Sequence, residues 1–301
     1  MIAFGCAIGE AEPYLRFAGP GIELVKEADS VVLAFAAVDT IARSNNILLD
    51  AAAAKPELEA LVLLSPYARL TDRDFVAKIR VALADPEVAV AGCLGARGVR
   101  TIAWWEGTEV SCSSGFRYGY HEHGGGELPG LPWAQCGPAP AEVEVLDGSV
   151  LVLSPWAVHN LRFDETLVLG HGFDVDYCLQ ARAAGRKVVT VDFAVTQRRS
   201  LKIVSDLELW TEAHADFARK WTGKIRGQPP REDVQARARR SEAEREAVRS
   251  VAYFKRLSYD ARVEALEREY EAARRTLSWR ITEPLRMINK WRADRAQGSE
   301  A

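Results

Sequence analysis

Several things are scarce or missing in this chain of 301 residues, and each absence removes a class of protein. No apolar run approaches the roughly 18–20 residues that a helix needs to cross a bilayer. The opening MIAFGCAIGEAEPYL lacks a basic start and a long apolar core, so a secretory leader is not expected. The five cysteines, Cys6, Cys93, Cys112, Cys136 and Cys178, are odd in number and widely spaced, with no C-x-x-C. That leaves structural zinc unsupported and points to free, buried or half-buried thiols in a reducing cytosol. No GxGxxG follows the first strand pattern and no phosphate-binding P-loop occurs. No GxSxG elbow suggests a hydrolase, and no internal repeat is evident.

What is present is a globular composition, 48% hydrophobic and 27% charged, with a net charge of −3 that hides a split. Residues 226–301 carry 18 basic and 13 acidic side chains, whereas residues 1–225 carry 21 and 29. An acidic body with a basic, helix-forming tail is the reading, divided near Arg226. An acidic body is a poor nucleic-acid binder, because phosphate recognition needs a basic face.

Short apolar runs alternate with helical patterns through the first 90 residues. Ile2–Ile8, Ser30–Phe35, Leu58–Leu64 and Val88–Gly92 read as strands; ALVLL has no polar face and suits a sheet covered on both sides. Ser44–Ala54 reads as a helix with an Asn start, and Asp72–Leu83 as a helix capped by Asp72. This βαβ alternation predicts an α/β fold with ligands beyond the carboxyl ends of the strands. From Ala96 to Ala141 the pattern dissolves into an aromatic segment with Trp104, Trp105, Tyr118, Tyr120, Trp133 and the stretch HEHGGGELPGLPW. These aromatics suit either a platform for a flat-faced sugar or a cover for the sheet edge. Order returns at Glu142–Leu153, broken by Asp147-Gly148, then at Trp156–Phe163. A helix follows at Phe173–Ala184 with Gly185 as its cap, then a strand at Lys187–Val191 and a closing helix at Leu207–Trp221.

Beyond Gly227-Gln228-Pro229-Pro230 the composition changes. Tyr259, Val263, Leu266, Tyr270, Ala273 and Leu277 stand at 4-3-4-3-4 spacing, about two and a half heptads. LSWRITEPLRMINKW then interleaves Trp279, Ile281, Leu285, Ile288 and Trp291 with Arg280, Arg286, Lys290 and Arg292. Peripheral membrane contact, self-association and partner binding are all open readings of this tail.

The sharpest constellation is His171-Gly-Phe-Asp174-Val-Asp176-Tyr. Asp174 lies where a helix begins, and free amides there favour a carboxylate, as a cap or as a functional group. Asp174 and Asp176 diverge by roughly 200° on a helix, so at most one serves as a base. His171 could meet an acceptor or tune Asp174, or be an ordinary loop histidine.

The run DGSVLVLSPWAVHNLRFDETLVLGHGFDVDYCLQARAAGRKVVTVDFAV resembles the carboxyl-terminal half of the family 2-like glycosyltransferase catalytic domain. It is most similar to an actinobacterial branch related to the streptomycin-cluster type. SNNILLDAA stands at that family's Tyr-Asn helix start, and LEALVLLSPYARLTDRDF at its metal-site strand and loop. VRTIAWWEG and HEHGGGELP agree, and LSWRITEPLR is similar to a motif near the ends of polysaccharide-building transferases. The resemblance covers roughly residues 1–225 and the tail motif.

It implies a GT-A fold, a single α/β domain over residues 1–225 with a mainly parallel sheet. A charged linker or helix at 226–250 and a helical tail at 251–301 would follow. It also implies inverting hexosyl transfer from a nucleotide-sugar to a saccharide or envelope-polysaccharide acceptor, in the cytoplasm or at the inner membrane face. Asp174 aligns with the family's base, Asp147-Gly148 with the turn flanking the acceptor pocket, and Trp104-Trp105 with its approach. Ala7, Asn46, Tyr67, His171, Asp176, Arg198 and Arg199 complete the substrate-binding set. The chain departs from the family at both usual metal-ligand positions, which hold Tyr67 and Gln197, so Mg or Mn has weak support. Arg198 or Arg199 could clamp the diphosphate instead. Alternatively the donor site has decayed, leaving a binding or scaffold protein that partners an active transferase.

Overall fold

The computed structural model describes residues 1–120, 136–167, 171–199, 207–221, 223–224 and 236–275. The stretch HEHGGGELPGLPW with Trp133, the linker at 227–230 and the LSWRITEPLRMINKW motif lie outside the described residues.

The first half runs β1 (Ile2–Ile8), α1 (Ala11–Pro13), a π-helical turn (Tyr14–Ala18), α2 (Gly19–Val25), β2 (Val31–Ala36), α3 (Ile41–Ala53), β3 (Ala60–Leu64), β4 (Ala68–Leu70), α4 (Phe75–Leu83) and β5 (Val88–Gly92). The aromatic segment holds β6 (Leu94–Arg97), a 3-10 turn (Trp104–Glu106), β7 (Glu109–Cys112), β8 (Phe116–Tyr120) and β9 (Cys136–Pro138). It is therefore more regular than its sequence suggests. Next come β10 (Ala141–Val143), β11 (Val145–Leu146), β12 (Val150–Leu153), α5 (Pro155–Asn160), α6 (Phe173–Ala183), β13 (Lys187–Thr190), β14 (Val195–Arg199), α7 (Leu207–Trp221) and α8 (Ala236–Arg275).

The fold is α/β, as expected. Seven strands form the central sheet in the order β10-β13-β5-β12-β3-β1-β2, with β12 and β10 running against the other five. β3, the ALVLL run, lies in the middle and is wholly buried. Each such Leu or Val contributes about 1.5–3 kcal/mol through burial, which is why an unbroken apolar run settles here. β2 forms an edge and alternates half-buried with exposed residues. A four-stranded sheet (β11-β6-β7-β9) and a three-stranded sheet (β4-β14-β8) flank the centre.

Local chemistry moves two helix starts away from their sequence expectation. α3 begins at Ile41 because Thr40 is the cap, its hydroxyl accepting from the Arg43 N–H at 3.1 Å. α4 begins at Phe75, and Asp72 does not cap it. Instead the buried Asp72 carboxylate accepts from the Asp74 N–H (3.1 Å), the Ala194 N–H (3.2 Å) and Lys78 Nζ (2.6 Å). It fastens the start of α4 to the approach of β14. Gly185, at φ +76°, ends α6 as anticipated.

Among the described residues Cys6, Cys93, Cys112 and Cys178 are free thiols, and burial pushes Cys6 up to about 12. No helix among the described residues is long and apolar enough to cross a membrane. The chain divides into two compact units, Met1–Tyr253 and Phe254–Ala301.

Candidate active site

A cavity of about 440 Å³ opens where β1 and β3 end and β12 begins. Ala7, Tyr67, Gly148, Asp174 and Gln197, all singled out from sequence, line it together with Asn45, Ser65 and Ser149. Leu63, Leu64, Leu151 and Phe173 supply its apolar wall. Its size and mixed lining suit a small organic ligand.

Strand pairing assembles one side. β14 runs antiparallel to β4, setting Gln197 opposite Ala68, and the Arg198 N–H donates to the Tyr67 carbonyl at 2.9 Å. The two positions at which the family resemblance expects metal ligands are thus neighbours in space. Gln197 is buried, and its Oε1 has no hydrogen-bond partner among the described residues.

The first turn of α6 assembles the other side. Gly172 precedes it at φ +76°, and a Cβ there would come within 2.3 Å of Ile102 Cγ2. Only glycine fits this left-handed, crowded corner. Asp174 follows in the first turn; it is not the cap residue. Its Oδ2 accepts from the Gly148 N–H at 2.7 Å and its Oδ1 from the Val175 N–H at 2.9 Å. A Cβ on Gly148 would lie 2.9 Å from Phe173 Cζ and 3.0 Å from Asp174 Oδ2, so glycine is what lets the carboxylate sit against the turn.

Asp176 points elsewhere, as the helical geometry requires. It is 1% exposed and ties α6 to α7. Oδ1 meets Lys220 Nζ at 2.7 Å and accepts from Trp221 Nε1 at 2.8 Å, while Oδ2 accepts from Gln180 Nε2 at 2.7 Å. Lys220 also holds Asp164 at 2.6 Å. Burial raises the Asp164 carboxyl, but hydrogen bonds from Lys220 and Thr166 outweigh it and leave the group below its ordinary value.

Other expected substrate contacts serve the scaffold. Asn46 faces away from the cavity, donating to the Phe163 carbonyl (3.0 Å) and Glu165 (2.9 Å) and accepting from the Phe163 N–H (2.9 Å). Asn45 lines the cavity in its place; it lies one helical turn after Ile41, another lining residue, a phase that becomes legible once Thr40 is taken as the cap. Asp147 is buried and accepts from the Ser149 N–H at 2.9 Å, shaping the turn that presents Gly148. Trp104 and Trp105 are buried, which makes them a cover and not an open platform. Trp105 stacks on Trp210 of α7 (6.2 Å, 7°), and His171 meets the same Trp210 edge-on (4.8 Å, 89°). The structure thus gathers Trp104, Trp105 and His171 into an aromatic cluster whose organising member, Trp210, the sequence did not single out.

Arg198 occupies the face of β14 opposite Gln197, by strand alternation, and does not line the cavity. Desolvation, and then the like charge of Arg16, lower its guanidinium below the ordinary value, and its buried Nε has no hydrogen-bond partner among the described residues. A diphosphate clamp by Arg198 inside this cavity is therefore not what the structure builds. The Arg199 side chain lies outside the described residues.

The donor set does not fit a hard divalent cation. Such an ion takes several hard oxygen ligands, chiefly carboxylates, whereas the lining offers a phenol, two carboxamides, two serine hydroxyls and only one carboxylate, already held by two backbone N–H groups. Among the described residues, no three His, Cys, Asp or Glu side chains group as metal ligands.

No protein-family model matches the chain. It is similar to the streptomycin biosynthesis protein StrF of Streptomyces griseus, 27% identical over 195 residues, 64% of this chain; it spans 64% of that relative's length. Among solved structures it is similar to the mannosyltransferase PcManGT from Pyrobaculum calidifontis in complex with GDP-Man and Mn2+. That match has a TM-score of 0.47 and 13% identity, covering 93% of this chain and 81% of the other. It is also similar to GalNAc-T7 with UDP, GalNAc and Mn2+, at a TM-score of 0.46 and 10% identity, covering 84% and 56% respectively.

Proposed function

We propose that this chain is a glycosyltransferase of the GT-A type, with residues 1–225 as its catalytic domain. It would move a sugar from a nucleotide-sugar to a saccharide acceptor with inversion. The observation that carries this reading is the one cavity that gathers Tyr67, Gln197, Gly148 and Asp174 at the carboxyl ends of β1 and β3. The HGFDVDYCLQAR block, with Asp174 at the base position, and the similarity to StrF support it.

Asp174 is the general base. An acceptor hydroxyl placed against it attacks the anomeric carbon from the face opposite the diphosphate. The new C–O bond forms as the bond to the nucleotide breaks, and the hydroxyl proton passes to Asp174. The Gly148 and Val175 N–H groups hold the carboxylate in a fixed orientation, so little reorganisation precedes the transfer. Gln197 Oε1 accepts from a hydroxyl of the donor, and the leucine and Phe173 walls keep water from competing as acceptor. No step is routed through a metal ion. A saccharide of the cell envelope is the acceptor class, and the cytoplasm or inner membrane face the setting, that the tail motif supports.

Calorimetric titration with UDP-, GDP- and TDP-sugars, with and without EDTA, tests this, followed by turnover and anomeric analysis of the product. Tight donor binding with EDTA-insensitive turnover is expected. A chain that binds none of these donors is not a transferase. The second reading, a binding or scaffold protein, draws on the replacement of both metal-ligand positions by Tyr67 and Gln197. It requires saccharide binding without turnover.

A further inference from the structure

Helix α8 carries an apolar stripe that the cavity does not use. Tyr259, Val263, Leu266 and Tyr270 expose 69%, 54%, 54% and 53% of their surface. Their 4-3-4 spacing is that of a heptad seam, with Val263 and Tyr270 at a positions and Tyr259, Leu266 and Ala273 at d. A β-branched residue at a followed by Leu at d favours two strands.

The flanking charges decide the orientation. By sequence register the g positions are Arg262 and Glu269, and the e positions Asp260, Glu267 and Arg274. In a parallel, in-register pair each g residue faces the e residue five places on in the second copy. That gives Arg262 with Glu267 and Glu269 with Arg274, both pairs of opposite sign. An antiparallel pair that overlaps the same seam fully sets Asp260 against Glu267 and Arg262 against Glu269 of the second copy, each twice, so repulsion offsets attraction where the parallel pair has attraction alone. We infer that α8 is the interface of a homodimer, formed as a parallel two-stranded coiled coil about Val263 and Leu266. From Tyr259 to Ala273 the seam is about 21 Å long, so association is concentration-dependent and not obligate.

Sedimentation equilibrium of the full chain, from low to high micromolar concentration, tests this. A monomer–dimer equilibrium is expected, and Leu266→Asp shifts it to monomer. Glu267→Arg weakens the dimer about tenfold, because two attractive pairs become repulsive. The double change Arg262→Glu/Glu267→Arg restores it. In an antiparallel dimer Glu267→Arg would instead tighten association, by pairing with Asp260. Leu266→Cys forms a disulfide between copies under mild oxidation, since d faces d only in the parallel register. A chain that stays monomeric throughout, including one that partitions onto anionic vesicles as a monomer, overturns the inference. So does a trimer, or a dimer tightened by Glu267→Arg.

Discussion

The two walls of the cavity are built by different means. The Gly148–Asp174 wall is locked: a carboxylate held by two backbone N–H groups sits against a glycine with no room for a Cβ. The Tyr67–Gln197 wall rests on short strand pairings, β14 with β4 and with β8, and ends in a buried carboxamide oxygen with no partner among the described residues. On the proposed function, the locked wall suits a proton transfer that demands fixed geometry. The other is shaped to be completed by a ligand, and its residue types can change without unpicking the sheet. That contrast fits a chain in which the Asp174 side keeps the family's residue pattern while the Tyr67–Gln197 side departs from it.

The largest expected effect probes the locked wall directly. Asp174→Asn should lower turnover by about 10²–10⁴-fold while donor affinity, measured by calorimetry, stays within a few-fold. Comparable loss of both would show that the two walls are not separable. Next comes Asp176→Ala, which removes the acceptor for Trp221 and Gln180 and one of the two carboxylates at Lys220. Urea denaturation should register a loss of about 3 kcal/mol. Smaller again is Gly148→Ala. Its Cβ displaces Phe173 and Asp174, for an expected ten- to hundred-fold fall in kcat and a loss of about 1–3 kcal/mol in stability by urea denaturation. The mildest test addresses the open wall. Chelation should leave the natural chain's turnover unaltered, whereas Tyr67→Asp/Gln197→His should make it respond severalfold to Mn2+. Natural turnover that collapses in EDTA would reverse the assignment of that wall.

The central sheet was legible because β1, β3 and β5 are apolar enough to be recognised one at a time, and their burial follows from composition. Asp174, Gly148, Tyr67 and Gln197 were legible as positions within a pattern. What was not legible depended on contacts between distant segments. Asn46 and Asn45 are adjacent and alike, and only the Thr40 cap sets which one turns inward. Trp104 and Trp105 read equally well as platform or cover until Trp210 arrives from α7. Asp72 has the right type and place for a helix cap, but Lys78 and the Ala194 N–H claim it for a tertiary tie.

Two carboxylates in the first turn of α6 look in different directions: Asp174 into the cavity, Asp176 onto Lys220 and Trp221. One rigid helical turn joins them, so the turn acts as a fulcrum between ligand and closing helix. By thermodynamic reciprocity, any coupling carried by this turn acts equally in both directions. A sugar nucleotide seated beside Asp174 should therefore slow hydrogen exchange in the last turn of α7, none of whose residues lines the cavity. A change that loosens Trp221 should in turn weaken the grip on the sugar nucleotide.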